Sequence, residues 1–222
     1  MNHYSIALAG IGNRINSFIT TRRIWPDALL WWPQYTGGHG LVPYFEELFE
    51  PRDFVVRTIG PEIGYSVESC PTIQPVKSSD PKKITNQYGI DVPDDVKREI
   101  VDIVSLFKPA DSLKRHVIKR KKGYHIRTWY DTSYATPARY VIQQLDSMDL
   151  KQTYVACDNI IVQKWLYKNN YSLLEPSQSA QRAVIDLFSL SHCEELKVHR
   201  YSTFGELAFY LGGAKAKCEI YG

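Results

Sequence analysis

The sequence predicts an α/β protein built on parallel sheets, and three observations carry that prediction. Through its second half, five apolar runs of strand length alternate with four runs at helical spacing. The first half opens on a strand, a glycine turn and a helix, in the order of a βαβ unit. The polar residues with most chemical potential fall just after the strands, at the edge where open parallel sheets bind ligands.

Taken in order, Tyr4 to Ala9 reads as a strand ending in Gly10-Ile11-Gly12. Asn13 to Ile24 follows as a helix, with Ile15, Phe18, Ile19 and Ile24 near helical spacing. Ala28 to Trp32 is a strand stopped by Pro33, Gly37 to Gly40 a loop, Val42 to Phe49 a short helix, and Phe54 to Thr58 a strand. Gly60 to Val92 breaks the rhythm with Pro61, Pro71, Pro75 and Pro81, and reads as a long excursion of the functional or mobile kind. Pro93 to Phe107 is a helix: Pro93 suits its first turn, and Asp94-Asp95 suit its positive end. Lys108-Pro109 stops it, which sets the predicted domain boundary, with residues 1–108 on one side and 109–222 on the other.

Beyond the boundary the strands are Tyr124–Thr128, Thr153–Cys157, Tyr171–Leu174, Leu196–His199 and Ala216–Tyr221. The helices are Thr136–Met148, Ile160–Tyr167, Ala180–Leu190 and Thr203–Leu211. This is the pattern of a doubly wound sheet with right-handed crossovers.

Composition narrows the function. An apolar share of 44% with 23% charge is that of an ordinary globular chain, and 222 residues bury a core without staples. A net charge of +3 implies no strong field for nucleic acid. The basic run from Lys114 to Lys122 reads as a solvated turn before a strand. Cys70, Cys157, Cys193 and Cys218 are scattered without zinc spacing and read as reduced thiols. No signal peptide is legible, and no run approaches the roughly 20 apolar residues of a membrane span. The expectation is a cytoplasmic protein. Trp31 and Trp32 read as core, and Trp129 as a candidate for stacking on a sugar ring.

Four short motifs carry chemistry. His125 and Arg127 stand two apart on a strand and share a face, where an arginine fork and a second donor make a diphosphate clamp. Ser202-Thr203 open a helix whose first amides are ready for phosphate oxygens. Asp158 follows a strand and suits a ribose or base edge. Gly10-Ile11-Gly12-Asn13-Arg14 lets a ligand approach the backbone, although Ile15 stands where a dinucleotide fingerprint needs glycine. Each motif also has a structural reading: a core histidine beside a surface arginine, and helix caps at Ser202 and Asp158. Together they suggest a nucleoside diphosphate ligand.

Those motifs, in that order, with Ser202-Thr203-Phe204-Gly205-Glu206-Leu207-Ala208 as the last and, together with Asp186 to Ser191 ahead of it, the most specific, resemble the fucosyltransferase superfamily of α1,6-, α1,2- and protein O-fucosyltransferases. The resemblance spans nearly the whole chain as islands. It implies a GT-B glycosyltransferase, with two Rossmann-like domains whose parallel sheets face each other across a cleft. Residues 1–108 would form the acceptor side and residues 109–222 would hold GDP-fucose or a related GDP-sugar. Arg127 would stabilise the departing diphosphate, and His125 would assist at the diphosphate or nucleoside. Ser202, Thr203 and Phe204 would line phosphates and nucleoside, and Asp158 would reach the nucleoside. Gly12, Asn13 and Arg14 would close over the sugar phosphate.

The resemblance implies an inverting transfer; it is expected to be free of metal or other cofactor, because Asp94-Asp95 begin a helix and form no metal pair. The chain departs from the family after His125-Ile126-Arg127, where Thr128-Trp129-Tyr130-Asp131 follow instead of a second arginine or an acid. Asp131 is therefore the first candidate base, and Glu175 a remote second. A glycan is the implied acceptor. Two other readings stand beside this one: a non-catalytic GDP-sugar or glycan-binding protein on a transferase scaffold, and a Rossmann nucleotide-binding regulator.

Overall fold

The structure, a computed structural model, describes residues 2–6, 10–37, 40–58, 65–68, 88, 92–127, 138–146, 148–200 and 202–221. It opens with β1 (Asn2–Ser5), α1 (Ile11–Ile24) and β2 (Leu29–Trp31). A hairpin of β3 (Tyr35–Gly37) and β4 (Gly40–Val42) follows, then a 3₁₀ turn at Phe45–Glu47, β5 (Val55–Val56), β6 (Tyr65–Glu68) and α2 (Asp94–Val104). A single turn, α3 (Asp111–Lys114), leads into β7 (Lys122–Ile126), α4 (Ala138–Asp146), β8 (Thr153–Cys157) and α5 (Ile160–Lys168). The chain closes with α6 (Ala180–Ser191), β9 (Glu195–His199), α7 (Thr203–Leu211) and β10 (Lys217–Tyr221).

Two four-stranded sheets result, ordered β5-β2-β1-β6 and β10-β9-β7-β8, and every strand pair within them is parallel. In each sheet the chain order reverses once, beside β1 in the first and between β7 and β9 in the second. Such reversals open a crevice at the carboxyl ends of the strands. The predicted α/β class with parallel sheets is therefore the observed one.

The second sheet is covered on both faces, and β8 shows why. Its side chains alternate: Tyr154 and Ala156 join the cluster that includes α6 and α7, while Val155 and Cys157 join the cluster of α4 and α5. The same period on β7 sends Tyr124 and Ile126 to the α4–α5 side. Gly123 faces the other way. A Cβ there would lie 2.8 Å from Leu196 Cδ2 and 2.9 Å from both Cys193 Sγ and Leu190 Cδ2. The bare glycine lets α6 close onto the sheet. One apolar cluster runs without interruption from α1 and α2 through α6 and β9 to α7. At its first-half end, Trp32 is fully buried, edge-on to Phe45 and Phe49, with its indole N–H donated to Pro43 O at 3.1 Å.

Several expected elements differ. Tyr171–Leu174 is not a strand, so the second sheet has four strands rather than five. Asn170 takes the left-handed conformation (φ 58°), and the Tyr171 and Ser172 amides donate back to Leu166 O. Ser172 Oγ then binds the Leu174 amide and carbonyl, so local bonds use the backbone groups a ladder would need. Val42–Phe49 is not a helix: Val42 ends the hairpin, and only one 3₁₀ turn follows. The glycine loop is the tip of that hairpin, with Gly37 opposite Gly40. Within the long excursion, β6 pairs in parallel with β1, and Tyr88 and Val92 are buried; the rest of it lies outside the described residues, as do Trp129 and Asp131.

Candidate functional site

The carboxyl ends of β7 and β8 and the amino ends of α1, α5, α6 and α7 meet at one cavity of about 510 Å³. That volume suits a ligand of nucleotide size. Its lining includes Gly10 to Asn13, His125, Arg127, Cys157 to Asn159, Ser177 to Ala180, Arg182, Asp186, Thr203 and Phe204. Gly40 and Val42 of the hairpin add a further wall. Four helix amino ends around one space bring oriented N–H groups and partial positive charge to it.

The glycine turn is itself helical, since α1 begins at Ile11 rather than Asn13. Its cap is Gly10, which has no side chain, so no side-chain cap covers the first-turn amides. A Cβ on Gly12 would rest 3.9 Å from Phe204 Cα and Cδ2, an ordinary contact, so packing does not demand the glycine. Asn13 faces Thr203, whose Oγ1 lies 3.4 Å from Asn13 Oδ1 across 190 positions of sequence. Arg14 is elsewhere. One residue on is a rotation of about 100°, and this carries its guanidinium over the Trp32 ring at 4.8 Å and onto Pro33 O at 2.9 Å. It is 1% exposed and is not among the cavity-lining residues. Burial lowers its pKa to about 10, which leaves it charged.

His125 and Arg127 share the face the two-residue period predicts, and both line the cavity. His125 is buried. Desolvation first, then the positive charge of Arg127 and electrostatic interaction with His199, push its pKa down to about 3, so the ring is neutral. Phe204 lies beside it, with ring centroids 5.1 Å apart. Ser202 takes the structural role: its Oγ accepts the Gly205 amide at 3.2 Å as the cap of α7, and it is fully buried outside the cavity lining.

Asp158 is exposed and lines the cavity, and it is not the cap of α5. Asn159 caps that helix, accepting the amides of Ile161 at 2.8 Å and Val162 at 3.4 Å. Glu175 offers a carbonyl to Arg182 Nη1 at 2.8 Å, and its carboxylate is not part of the lining. Among the described residues no group of three or more His, Cys, Asp or Glu side chains is placed to hold a metal ion. Nor is any described helix long and apolar enough to cross a membrane.

Sequence reasoning singled out Asp186 to Ser191 but did not assign Arg182 or Asp186 of α6 to the site, where both form a wall. Arg182 Nε meets Asp186 Oδ1 at 2.8 Å, both side chains almost fully buried, and Tyr154 donates its phenol to the same carboxylate oxygen. Burial pushes the Asp186 carboxyl up, opposed by Arg182 and the Tyr154 hydrogen bond. The signal was present as an i, i+4 Arg–Asp pair after Ser179, which caps α6 through the Arg182 amide. Gln163 was missed too: its amide ties Cys157 O and the Ser177 amide, each at 2.7 Å, which fixes the loop into α6.

The fold is shared with solved fucosyltransferases. POFUT1 in its apo form matches 100% of this chain and 98% of its own, with a TM-score of 0.53 and 12% identity. POFUT1 in complex with GDP-fucose gives the same coverage and TM-score at 10% identity. A point mutant of Arabidopsis thaliana FUT1 in complex with GDP matches 99% of this chain and 70% of its own, with a TM-score of 0.53 and 15% identity. At these identities the likeness is one of fold. No protein-family model and no curated protein sequence matches the chain.

Proposed function

We propose that this protein is a glycosyltransferase that binds GDP-fucose or a related GDP-sugar and transfers the sugar, with inversion, to a glycan acceptor. The observation that carries the reading is the convergence of Arg127 with four helix amino ends on one cavity at a reversal of strand order. Breaking the bond from sugar to diphosphate builds negative charge on the leaving group. Fixed N–H dipoles and a guanidinium stabilise that charge without a metal ion. Fold neighbours crystallised with GDP-fucose and GDP support the ligand class.

On this reading the two sheets belong to two Rossmann-like domains facing across the cavity in GT-B fashion, residues 1–108 on the acceptor side and 109–222 on the donor side. Arg127 pairs with the diphosphate, the amides of Gly12 and Asn13 and the hydroxyl of Thr203 close on it, and Phe204 and Asp158 meet the nucleoside. Asp131 is the proposed base. We place the protein in the cytoplasm; the three described cysteines, all free thiols, suit a reducing compartment.

Thermal unfolding with nucleotides tests the reading. Ligand at a hundredfold excess over its dissociation constant adds about 2.7 kcal/mol, which is roughly 5–10 °C in midpoint for a chain of this size. GDP is expected to give that rise, and ADP and UDP not; indifference to GDP refutes the proposal. Arg127→Ala is expected to keep the fold and lose most transfer. Binding of GDP with no transfer to any glycan would instead mark a non-catalytic binder. An unchanged rate in Asp131→Asn removes Asp131 as the base.

A further inference from the structure

Ser202 and His125 form a buried pair whose hydrogen positions are fixed by elimination. Ser202 Oγ has two near polar neighbours, the Gly205 amide at 3.2 Å and His125 Nδ1 at 3.0 Å. The amide can only donate, so Oγ accepts there. The hydroxyl still has a proton to place, and Ser202 is 0% exposed. Among the described residues His125 Nδ1 is the acceptor within its reach. Were Nδ1 protonated, the serine proton would be buried without an acceptor, at a cost of about 1–3 kcal/mol. That is roughly a five- to 150-fold bias toward an unprotonated Nδ1. A neutral imidazole with Nδ1 as acceptor carries its proton on Nε2.

We propose that Ser202 is a positioning residue that holds His125 as the neutral Nε2–H tautomer, making the ring an uncharged hydrogen-bond donor to an acceptor atom of the ligand in the cavity. His125 lines the cavity, and among the described residues no protein group bonds Nε2. The backbones of both partners are pinned. Tyr221 donates its phenol to His125 O at 2.9 Å, and the Tyr88 phenol lies 2.9 Å from Ser202 O and 2.8 Å from His199 O. Gly205 leaves room for that phenol, since a Cβ there would stand 3.0 Å from Tyr88 Oη. Charge at the ligand is therefore left to Arg127 and the helix ends, while His125 contributes direction. The identity of the ligand as a GDP-sugar rests on the function proposed above; the tautomer does not.

Nitrogen NMR of histidine-labelled, ligand-free protein at neutral pH tests the tautomer directly. The expected spectrum has an unprotonated Nδ1 and a protonated Nε2 on His125. The reverse assignment, or an average of the two, overturns the proposal whatever the protein binds. Ser202→Ala is then expected to shift both ring nitrogens and to weaken GDP binding about tenfold, the worth of one such bond, while Ser202→Thr, which keeps a hydroxyl, restores both. If Ser202→Ala leaves the nitrogen shifts and GDP affinity unchanged, the positioning role is wrong. Should the tautomer be as stated while GDP fails to bind the wild type, the donor-site reading fails and the tautomer assignment stands.

Discussion

The neutral, buried His125 makes a quantitative prediction about acid stability. In the folded protein its pKa lies at about 3, against the ordinary 6.5 of a solvated histidine. A base with a depressed folded pKa is protonated first in the unfolded chain. The stability linked to it is complete above about pH 6.5 and is lost as pH falls toward 3. Between pH 7.0 and 4.5 the unfolded histidine gains about three quarters of a proton and the folded one almost none, and integrating over that range this group alone costs about 2.5 kcal/mol. Any folded value below about 4 gives nearly the same figure, because at pH 4.5 the folded ring is neutral in either case. Urea unfolding of the wild type and of His125→Asn at both pH values isolates the effect. Asparagine keeps an acceptor for Ser202 but cannot titrate, and other groups titrate alike in both proteins and cancel in the difference. The wild type is expected to lose about 2.5 kcal/mol more than the variant on acidification. Equal losses would show that His125 titrates normally, and the description of a desolvated ring between Arg127 and His199 would be wrong.

Three further outcomes are expected. Gly123→Ala forces a methyl group into Leu190, Cys193 and Leu196 at under 3 Å and is expected to cost about 1–3 kcal/mol in denaturant unfolding; a change within about 0.5 kcal/mol would contradict the close approach of α6 to β7. Arg182→Ala leaves the Asp186 carboxylate buried with only Tyr154 to bond it and is expected to cost about 3–5 kcal/mol at neutral pH, read by the same titration, whereas an unchanged midpoint would mean the pair is solvated. Gly12→Ala meets only ordinary contact with Phe204, so thermal stability is expected to hold or rise by up to about 1 kcal/mol from helix propensity while GDP binding weakens; intact GDP affinity would show that no ligand approaches that backbone.

Sequence reading succeeded where local chemistry and tertiary packing agree. Thr153–Cys157 and Thr203–Leu211 are observed with the expected limits, the first a fully buried apolar run of strand length, the second a helix whose start is announced by its serine cap. His125 and Arg127 were legible because a period of two needs no tertiary knowledge. The failures have the opposite character. Tyr171–Leu174 has strand-like side chains, but the left-handed turn at Asn170 and the Ser172 hydroxyl decide its backbone, and neither is visible as hydropathy. β6 sits in a proline-rich excursion and becomes a strand only because β1 offers it an edge. Arg14 and Ser202 were expected at the ligand and face the interior, because a shift of two residues in where α1 begins turns Arg14 onto Trp32, and because a cap that bonds a histidine cannot also reach the cavity.

On the proposed reading, the cavity would hold an anion without a large net charge. The chain carries only +3, Arg182 is neutralised by Asp186, and Asp158 brings a carboxylate to the same wall. Arg127 lines the same cavity as the backbone dipoles of the helix ends. Dipoles hold their direction only if the helices that own them are fixed against one another. The fold supplies that in two ways: α1 packs on α7 so that Asn13 meets Thr203, and Ser179, Asn159 and Ser202 each cap a helix from outside its axis, which ties the starts of α6, α5 and α7 to their loops. Of the four helix starts described at the cavity, that of α1 has no side-chain cap, and there glycine leaves the amides open to the cavity. Preorganised N–H groups of this kind cost no reorganisation as charge develops, so under the proposed function a site of nearly balanced charge could still hold a diphosphate as it leaves.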